Sequence, residues 1–376
     1  MSQELELSFL DIFQGLDDPR STRNRLYTMS EILLTTLSAS ICGAEWWQDV
    51  EDFGKSKLEY LQKFLLYKNG IPSDDTFRRF FRSLDPEKFQ ELFRIWVQSI
   101  SVGDVEGSVI AIDGKSSRHS FDDDKQMLHM ISAYATEARI VLAQEKVCEK
   151  SNEITAIPKL LEWLDVKGNT VTIDAMGCQF SIANQIIQKE GQYILALKGN
   201  QGALHNDIRT YLEDKDVLKN LKAHIDYDKG HGRIETRKCF VSNDVNWLLE
   251  RHPNWNSIKS IIRVDSIREE KDRTTTETRY YISSEIKPAE KMLAGIRSHW
   301  SIENNLHWVL DMSFGEDYSR IRKENAPQIM AIIRHIALNL LQITKNQMKR
   351  RSIKRLRKVA GWDDTVLSTI LLQKFS

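Results

Sequence analysis

SVIAIDG, residues 108–114, marks the point where this chain changes character. Its apolar run carries the β-branched residues Val109, Ile110 and Ile112 and ends in Asp113, followed by Gly114, a turn residue. A strand that stays apolar until its last residue delivers that residue from the core to the sheet edge. In open sheets flanked by helices, ligands bind beyond strand ends. A second run, TVTIDA (170–175), has the same form and delivers Asp174 ahead of Ala175-Met176-Gly177. One such aspartate is equally well explained as a turn or helix cap. Two from separate strands of one sheet suggest a shared site, although spacing alone leaves the two explanations level.

Outward from these runs, LHMISAYA (128–135) and RIVLAQEKV (139–147) bracket a short break at Thr136–Ala138 and predict a hairpin. Residues 153–165 predict an amphipathic helix, with Ile154, Ile157, Leu160, Leu161 and Leu164 at helical spacing. CQFSIANQIIQKE (178–190) predicts another helix and YILALKG (193–199) another strand. Strand, hairpin, helix, strand, helix, strand gives a mixed α/β sheet with helices packed on it. Residues 203–218 look helical. From about 225 to 285 strands dominate (IETRKCFVS, IKSIIRVDSI, TETRYYISS), and their alternating polar residues predict an exposed antiparallel insert. Helices return at 287–311 and 324–343.

Before Ser108 the pattern is helical throughout. ILLTTLSASICGA (32–44) is of a buried type, and residues 46–65 have apolar positions at helical spacing. In PSDDTFRRFFRSLDPEKFQ, Ser73 or Asp74 is a plausible N-cap and Phe77, Phe80, Phe81 and Leu84 form a stripe. Asp85-Pro86 restarts a helix with proline in its first turn. Arg78, Arg79 and Arg82 between the aromatics suit a DNA-binding module, but spacing favours an aromatic core stripe with a solvated basic face.

Bulk composition narrows the function classes. The chain has 376 residues, enough for two or three domains. Lys plus Arg and Asp plus Glu are 53 each, so any electrostatic footprint must be local. Cys42, Cys148, Cys178 and Cys239 are widely spread and form no C-x-x-C pair. That excludes a cysteine-rich zinc knuckle and points to free thiols in a reducing cytosol. The start, MSQELELSFL, lacks a basic signal-peptide region, and no apolar run approaches the ~18 residues of a membrane span. A soluble cytoplasmic protein is expected.

Paired carboxylates repel each other unless a proton or a cation neutralises them. Oxygen ligands without cysteine favour magnesium or manganese, and a carboxylate-held metal pair suits in-line displacement at phosphorus. Such a site usually wants a third carboxylate. HWSIENNLHWVLD (299–311) offers Glu303, with His299, Glu303 and His307 on one helical stripe. A zinc helix of the H-E-x-x-H kind needs histidines one turn apart; eight residues are about 12 Å along a straight helix. The alternative is an amphipathic helix with Trp300 and Trp308 in the core, fixing it against its neighbours, and periodicity alone favours that.

Asp113 in AIDGK, Asp174 in TIDAMGCQ and Glu303 in HWSIENNLHWVLD resemble the DDE triad of bacterial insertion-sequence transposases. The resemblance is to the H-repeat-associated, Rhs-linked group and runs nearly end to end. IPSDDTFRRFF, LALKGNQ (195–201), GHGRIETR (230–237) and FGEDYSRIRKENAP (314–327) also look like segments of that family. It implies a ribonuclease-H-like catalytic domain over 105–345 with a β-rich insertion at about 203–287. A helical DNA-binding or associated domain over 1–104 precedes it, and a basic tail over 346–376 follows. It implies Asp113, Asp174 and Glu303 as catalytic and metal-binding residues, with Mg2+ or Mn2+ as cofactor. The expected activity is cleavage of the element's DNA ends and joining of the 3′-hydroxyl to target DNA. The partners would be double-stranded DNA, as terminal inverted repeats and target, and a second copy in a homodimer, with no membrane.

One departure matters. The wider superfamily carries Tyr-x2-Arg-x3-Glu-x6-Lys, and here those positions hold Ile296, His299, Glu303 and Leu310. The work of the absent Arg and Lys falls to other groups, with His299, Lys115, Lys198 and Arg233 as candidates. For DNA contact, the run Lys345–Lys358 has eight basic residues and no acidic one, including Lys349, Arg350, Arg351, Lys354 and Arg355. His231, Arg233 and Arg237 on the insert come next. A charge run is otherwise a solvated face. Two rival functions stay open: a transposase-derived DNA-binding protein without activity, and a metal-dependent nuclease of another pathway.

Overall fold

The structure, a computed structural model, describes residues 8–23, 25–100, 107–117, 120, 127–147, 152–230, 232–348 and 352–373. Its strands are β1 (Val109–Ser117), β2 (Leu128–Ala135), β3 (Ile140–Lys146), β4 (Thr170–Ile173), β5 (Gln192–Leu197), β6 (His224–Gly230), β7 (Arg233–Ser242), β8 (Ser260–Glu270) and β9 (Arg273–Ser283). They form one sheet in the order β3-β2-β1-β4-β5-β9-β8-β7-β6. β1, β4 and β5 run parallel, and the remaining pairings are antiparallel.

The N-terminal helices are α1 (Ser8–Phe13), α2 (Met29–Cys42), α3 (Trp47–Ser56), α4 (Leu58–Leu61), α5 (Asp74–Ser83) and α6 (Pro86–Ser99). α2 starts at a capping box: Thr28 Oγ1 accepts from the Glu31 amide and Glu31 Oε2 accepts from the Thr28 amide. It stops at Gly43, whose φ of +113° suits glycine. Phe77, Phe80, Phe81 and Leu84 are fully buried, so the aromatic stripe is core, as spacing favoured. Asp85 caps α6 through the Glu87 and Lys88 amides, with Pro86 in the first turn.

Within and after the sheet come α7 (Glu153–Trp163), α8 (Phe180–Gln188), α9 (Gly202–Glu213), α10 (Lys215–Asn220), α11 (Asn246–Arg251), α12 (Ala289–Ile302), α13 (Trp308–Phe314), α14 (Ala326–Gln347), α15 (Ile353–Trp362) and α16 (Asp364–Leu371). α7, α8 and α9 cover one sheet face, packing on Ile110, Ile112, Val171, Ile173, Tyr193 and Leu195. The other face meets α12 at β5 and β8–β9, and meets the α6 and α14 core through Ala111, Tyr134 and Val141. The mixed sheet flanked by helices is the expected mixed α/β arrangement.

Four local expectations change. β1 does not end at Asp113 but continues to Ser117, because β2 keeps pairing with it from Asp113↔Ser132 to Ser117↔Leu128 after β4 has stopped. The β-rich stretch is not a separate exposed sheet, since β9 pairs with β5 and extends the same sheet. Its first strand, HIDYDKG, was not foreseen because it is polar almost throughout and sits at the edge. The basic C-terminal stretch is not a free tail: α15 and α16 dock on α2. Arg357 is buried there, donates to the Ser40 and Ile41 carbonyls and lies 3.9 Å from the Phe314 ring centre. Among the described residues, no helix is long and apolar enough to cross a membrane.

Candidate active site

Asp113 and Asp174 lie on the same sheet face. Along β1, Asp113 has the parity of Ala111, and Asp174 follows β4 in step with Thr172, whereas Ile112 and Ile173 point to the opposite face. β4 stops at Ile173, opposite Ile112. Asp113 therefore sits where its parallel neighbour has ended, and Asp174 is the first residue past that end. Asp174 Oδ1 accepts from the Met176 and Gly177 amides at 3.0 and 3.2 Å, which fixes the carboxylate plane. Glu303 arrives from the end of α12, which lies over this face. All three carboxylates line one cavity of about 300 Å³, together with Lys198, Arg279, His299 and Trp300.

The helix that brings Glu303 is not a plain α-helix. Residues Glu303–His307 form a π turn between α12 and α13. His299, Glu303, His307 and Asp311 are spaced by four, and so are the buried residues Ile302, Leu306, Leu310 and Phe314. Three steps of four drift by about 120° on an α-helix and would turn both stripes off their faces. The π turn closes on i→i+5, absorbs one residue and removes most of that drift. Both polar ends therefore meet the sheet. His299 Nδ1 is 3.1 Å from Thr172 Oγ1, His307 Nδ1 is 3.6 Å from Asp113 Oδ2, and Asp311 Oδ1 is 2.7 Å from Lys115 Nζ. Trp300 and Trp308, expected in the core, are 41% and 59% exposed. The buried aliphatic stripe holds the helix instead and leaves the indoles on its outer flank.

The electrostatics of the cavity favour a cation. Burial, then the charges of Asp174, Glu303 and Glu153, push the Asp113 carboxyl up to about 7, against its Gly114 amide bond. Asp174 is also raised, by burial first and then by Glu153, while Lys198 opposes the rise. Burial raises Glu303, and Arg279 opposes it. Burial drops His299 to about 4 and His307 to about 3, so both are neutral near pH 7. Among the described residues, no three His, Cys, Asp or Glu groups already form a metal cluster. The carboxylates share a cavity rather than a closed cage. Their donor set, oxygen only and mutually repelling, fits a hard divalent cation.

The predicted basic residues scatter. Lys198 is exposed at the cavity. Arg233 and Arg237 line an adjoining cleft of about 670 Å³ that shares Arg279, Trp300 and Glu303 with the cavity. Both pair with Glu235. His299 is half-buried in the cavity wall. Lys115 is only 11% exposed and is held by Asp311, Asp317 and Glu316 at 2.7, 3.4 and 3.7 Å. Lys354 and Arg355 are exposed on α15. His231, Lys349, Arg350 and Arg351 lie outside the described residues.

Residues 100–340 match the family model of the transposase DDE domain, and residues 10–97 match that of the segment associated with it. This chain belongs to the DDE transposase family. A relative named "Putative transposase YncI", from Escherichia coli O157:H7, is 41% identical over 97% of this chain and 94% of its own length. "H repeat-associated putative transposase YhhI", from Escherichia coli strain K12, is 40% identical over 95% of each. A shorter match of 44% identity covers 16% of this chain and 74% of "Inactive transposase YbfQ" from the same strain. A solved piggyBac transposase synaptic complex with hairpin DNA superposes with a TM-score of 0.44 at 10% identity, over 98% of this chain and 78% of that one. That likeness is too distant to bear on the site.

Three groups beside the carboxylates of this DDE transposase have no marker in its sequence. Glu153, the first residue of α7, reads there as an ordinary acidic helix start. Its Oε1 lies 2.8 Å from His129 Nε2, whose Nδ1 is 2.7 Å from Ser116 Oγ. A Cβ on Gly114 would come 2.3 Å from that same Oε1 and 2.9 Å from His129 Nε2, so any larger residue must push this pair aside. The third group, Arg279, reads as one of many alternating charges on β9. Its guanidinium sits 5.3 Å from the Trp300 ring centre and is paired with Glu277. With Lys198, it brings positive charge to the cavity lining.

Proposed function

We propose that this chain cuts DNA at the ends of a mobile element and joins the freed 3′-hydroxyl to target DNA. Asp113, Asp174 and Glu303 are the catalytic carboxylates and the ligands of a divalent cation, Mg2+ or Mn2+. The reading is carried by one observation: three carboxylates from two strands and a helix line one cavity, where each is pushed towards its protonated form. When bound, such a cation activates the attacking oxygen and stabilises the leaving oxygen at phosphorus.

The chain's own residues supply the rest. The Met176 and Gly177 amides hold the Asp174 carboxylate in one plane. Arg279 and Lys198 face the cavity and present positive charge to a phosphodiester. Neutral His299 and His307 fix Thr172 and crowd Asp113 without adding a competing cation. On this reading residues 105–345 are the catalytic domain, with its insertion at about 203–287. The helices of 1–104 and the segment from 346 flank it. The partners are double-stranded DNA and a second copy in a homodimer, and the compartment is the cytoplasm.

The test is cleavage of a duplex carrying the element's terminal inverted repeats, with Mg2+ or Mn2+. The wild type should nick it. Asp174→Ala and Glu303→Gln should lose at least about a hundredfold in rate, as expected when preorganised charge at the reacting centre is removed. Equal cutting by Asp174→Ala sinks the site assignment. End binding without nicking under either metal would leave a DNA-binding role in its place.

A further inference from the structure

A second cleft, of about 400 Å³, lies away from the carboxylates, between the N-terminal helices and the segment that joins α13 to α14. Five of its lining residues are cationic: Arg78 and Arg82 from α5, and Arg320, Arg322 and Lys323 from the joining segment. No acidic residue lines it. Asp74 and Asp75 pair with Arg78 and Glu324 pairs with Arg82, so five cations against three carboxylates leave a net local positive charge.

Ion pairs and hydrogen bonds hold the arrangement. Asp74 and Asp75 orient Arg78, and Glu324 grips Arg82 through two hydrogen bonds of 3.1 and 2.6 Å. Asn325 Nδ2 donates to the Leu84 carbonyl and ties the joining segment to the end of α5. Arg320 lies 5.8 Å from the Trp46 ring centre. The same segment begins with Glu316 and Asp317, which grip Lys115 two residues from Asp113. The cleft and the catalytic strand are thus ends of one short, anchored connection.

We propose that this cleft is a phosphate-backbone site for double-stranded DNA, separate from the carboxylate cavity, that holds the element end in register with it. This rests on the transposase reading above. Two cationic rails on either side of an open cleft suit a run of phosphates. Backbone contact of this kind positions a duplex without reading its sequence.

The test uses the full chain and a fluorescent duplex carrying the element end, with binding measured from 0.05 to 0.3 M salt. Arg320 and Lys323 are exposed, so Arg320→Ala/Lys323→Ala should leave the fold intact, checked by its melting temperature. The salt slope of log K should fall by about 0.9 per lost phosphate contact, near 1.8 for the pair, and affinity at 0.15 M salt by roughly tenfold or more. Lys167→Ala/Lys189→Ala, at the opposite end of β4, removes equal charge and should change neither. If the wild type binds and the Arg320/Lys323 pair shows its slope and affinity, the cleft is not a DNA site, while the carboxylate reading stands. A loss equal to that of the Lys167/Lys189 pair also overturns it. If the wild type binds no duplex, both readings fall together.

Discussion

Replacing Asp113 by Asn should stabilise the cation-free protein at neutral and alkaline pH. Burial and three neighbouring carboxylates raise the Asp113 carboxyl from 3.8 to about 7 in the folded chain. A group whose folded pKa lies above its unfolded one binds its proton more tightly when folded. Its contribution is fully present below pH 3.8 and is lost as pH rises through about 7. Between pH 5.5 and pH 8 that loss is ~2 kcal/mol. In a chain of this length it corresponds to a fall of roughly 2–3 °C in melting temperature. Asn keeps the shape and lacks the charge, so this component disappears. Raised Asp174 and Glu303 add falls of the same sign to both proteins, and the comparison between them cancels most of that.

Thermal melts in chelator across this pH range should therefore show wild type falling relative to Asp113→Asn. Saturating Mg2+ or Mn2+ should reverse the order. A cation that binds only the folded state adds about 2.7 kcal/mol at a hundredfold excess over its Kd, and the variant has lost a ligand. Parallel pH profiles in chelator would show that Asp113 is not strained by its neighbours. An equal cation-induced rise in both proteins would show that Asp113 does not hold the cation.

Two further outcomes test the surroundings of the site. Gly114→Ala should cost about 1 kcal/mol by urea unfolding, because its Cβ would push Glu153 Oε1 off His129 Nε2. Most of that loss should vanish in a Glu153→Ala background, and an additive double mutant would place the strain elsewhere. Deleting Asn304 should convert the π turn to α-helix with little loss of melting temperature, yet reduce cleavage as strongly as Glu303→Gln. Retained cleavage would mean that the phase set by the π turn is not what aims Glu303.

The parts of the fold that local periodicity encodes were legible. The hairpin of β2 and β3, the helices α7 and α8, and the apolar runs ending at Asp113 and Asp174 follow from alternation and turn residues within a few positions. What was not legible depends on partners far away in sequence. The β-rich stretch has the same alternating charges whether it stands alone or extends the sheet, and only the pairing of β9 with β5 decides. Glu153 and Arg279 look like solvated charges until folding sets them beside Asp113 and Glu303. The π turn did leave a trace: two stripes at strict spacing of four, held over thirteen residues, cannot both keep their faces on a plain α-helix. Two Trp residues on the same segment were read as core because they are large and apolar, but the aliphatic stripe beside them already fills that role.

Overall neutrality concealed where the charge goes. Asp174, Glu303 and Glu153 raise Asp113, and Glu153 raises Asp174, while Lys198 opposes the rise at Asp174 and Arg279 that at Glu303. Part of the conspicuous C-terminal basic run is spent inside, since burial lowers the Arg357 guanidinium to about 10 and its donors hold α2 carbonyls. Another group of cations, two of them held by Asp74, Asp75 and Glu324, gathers at residues 78–82 and 320–323, two short stretches that no count along the chain would join. On the proposed reading, an excess of carboxylate at the cation site and an excess of cation at the phosphate site offset each other in composition. Folding separates them into two sites, joined through Lys115 and the segment that follows α13.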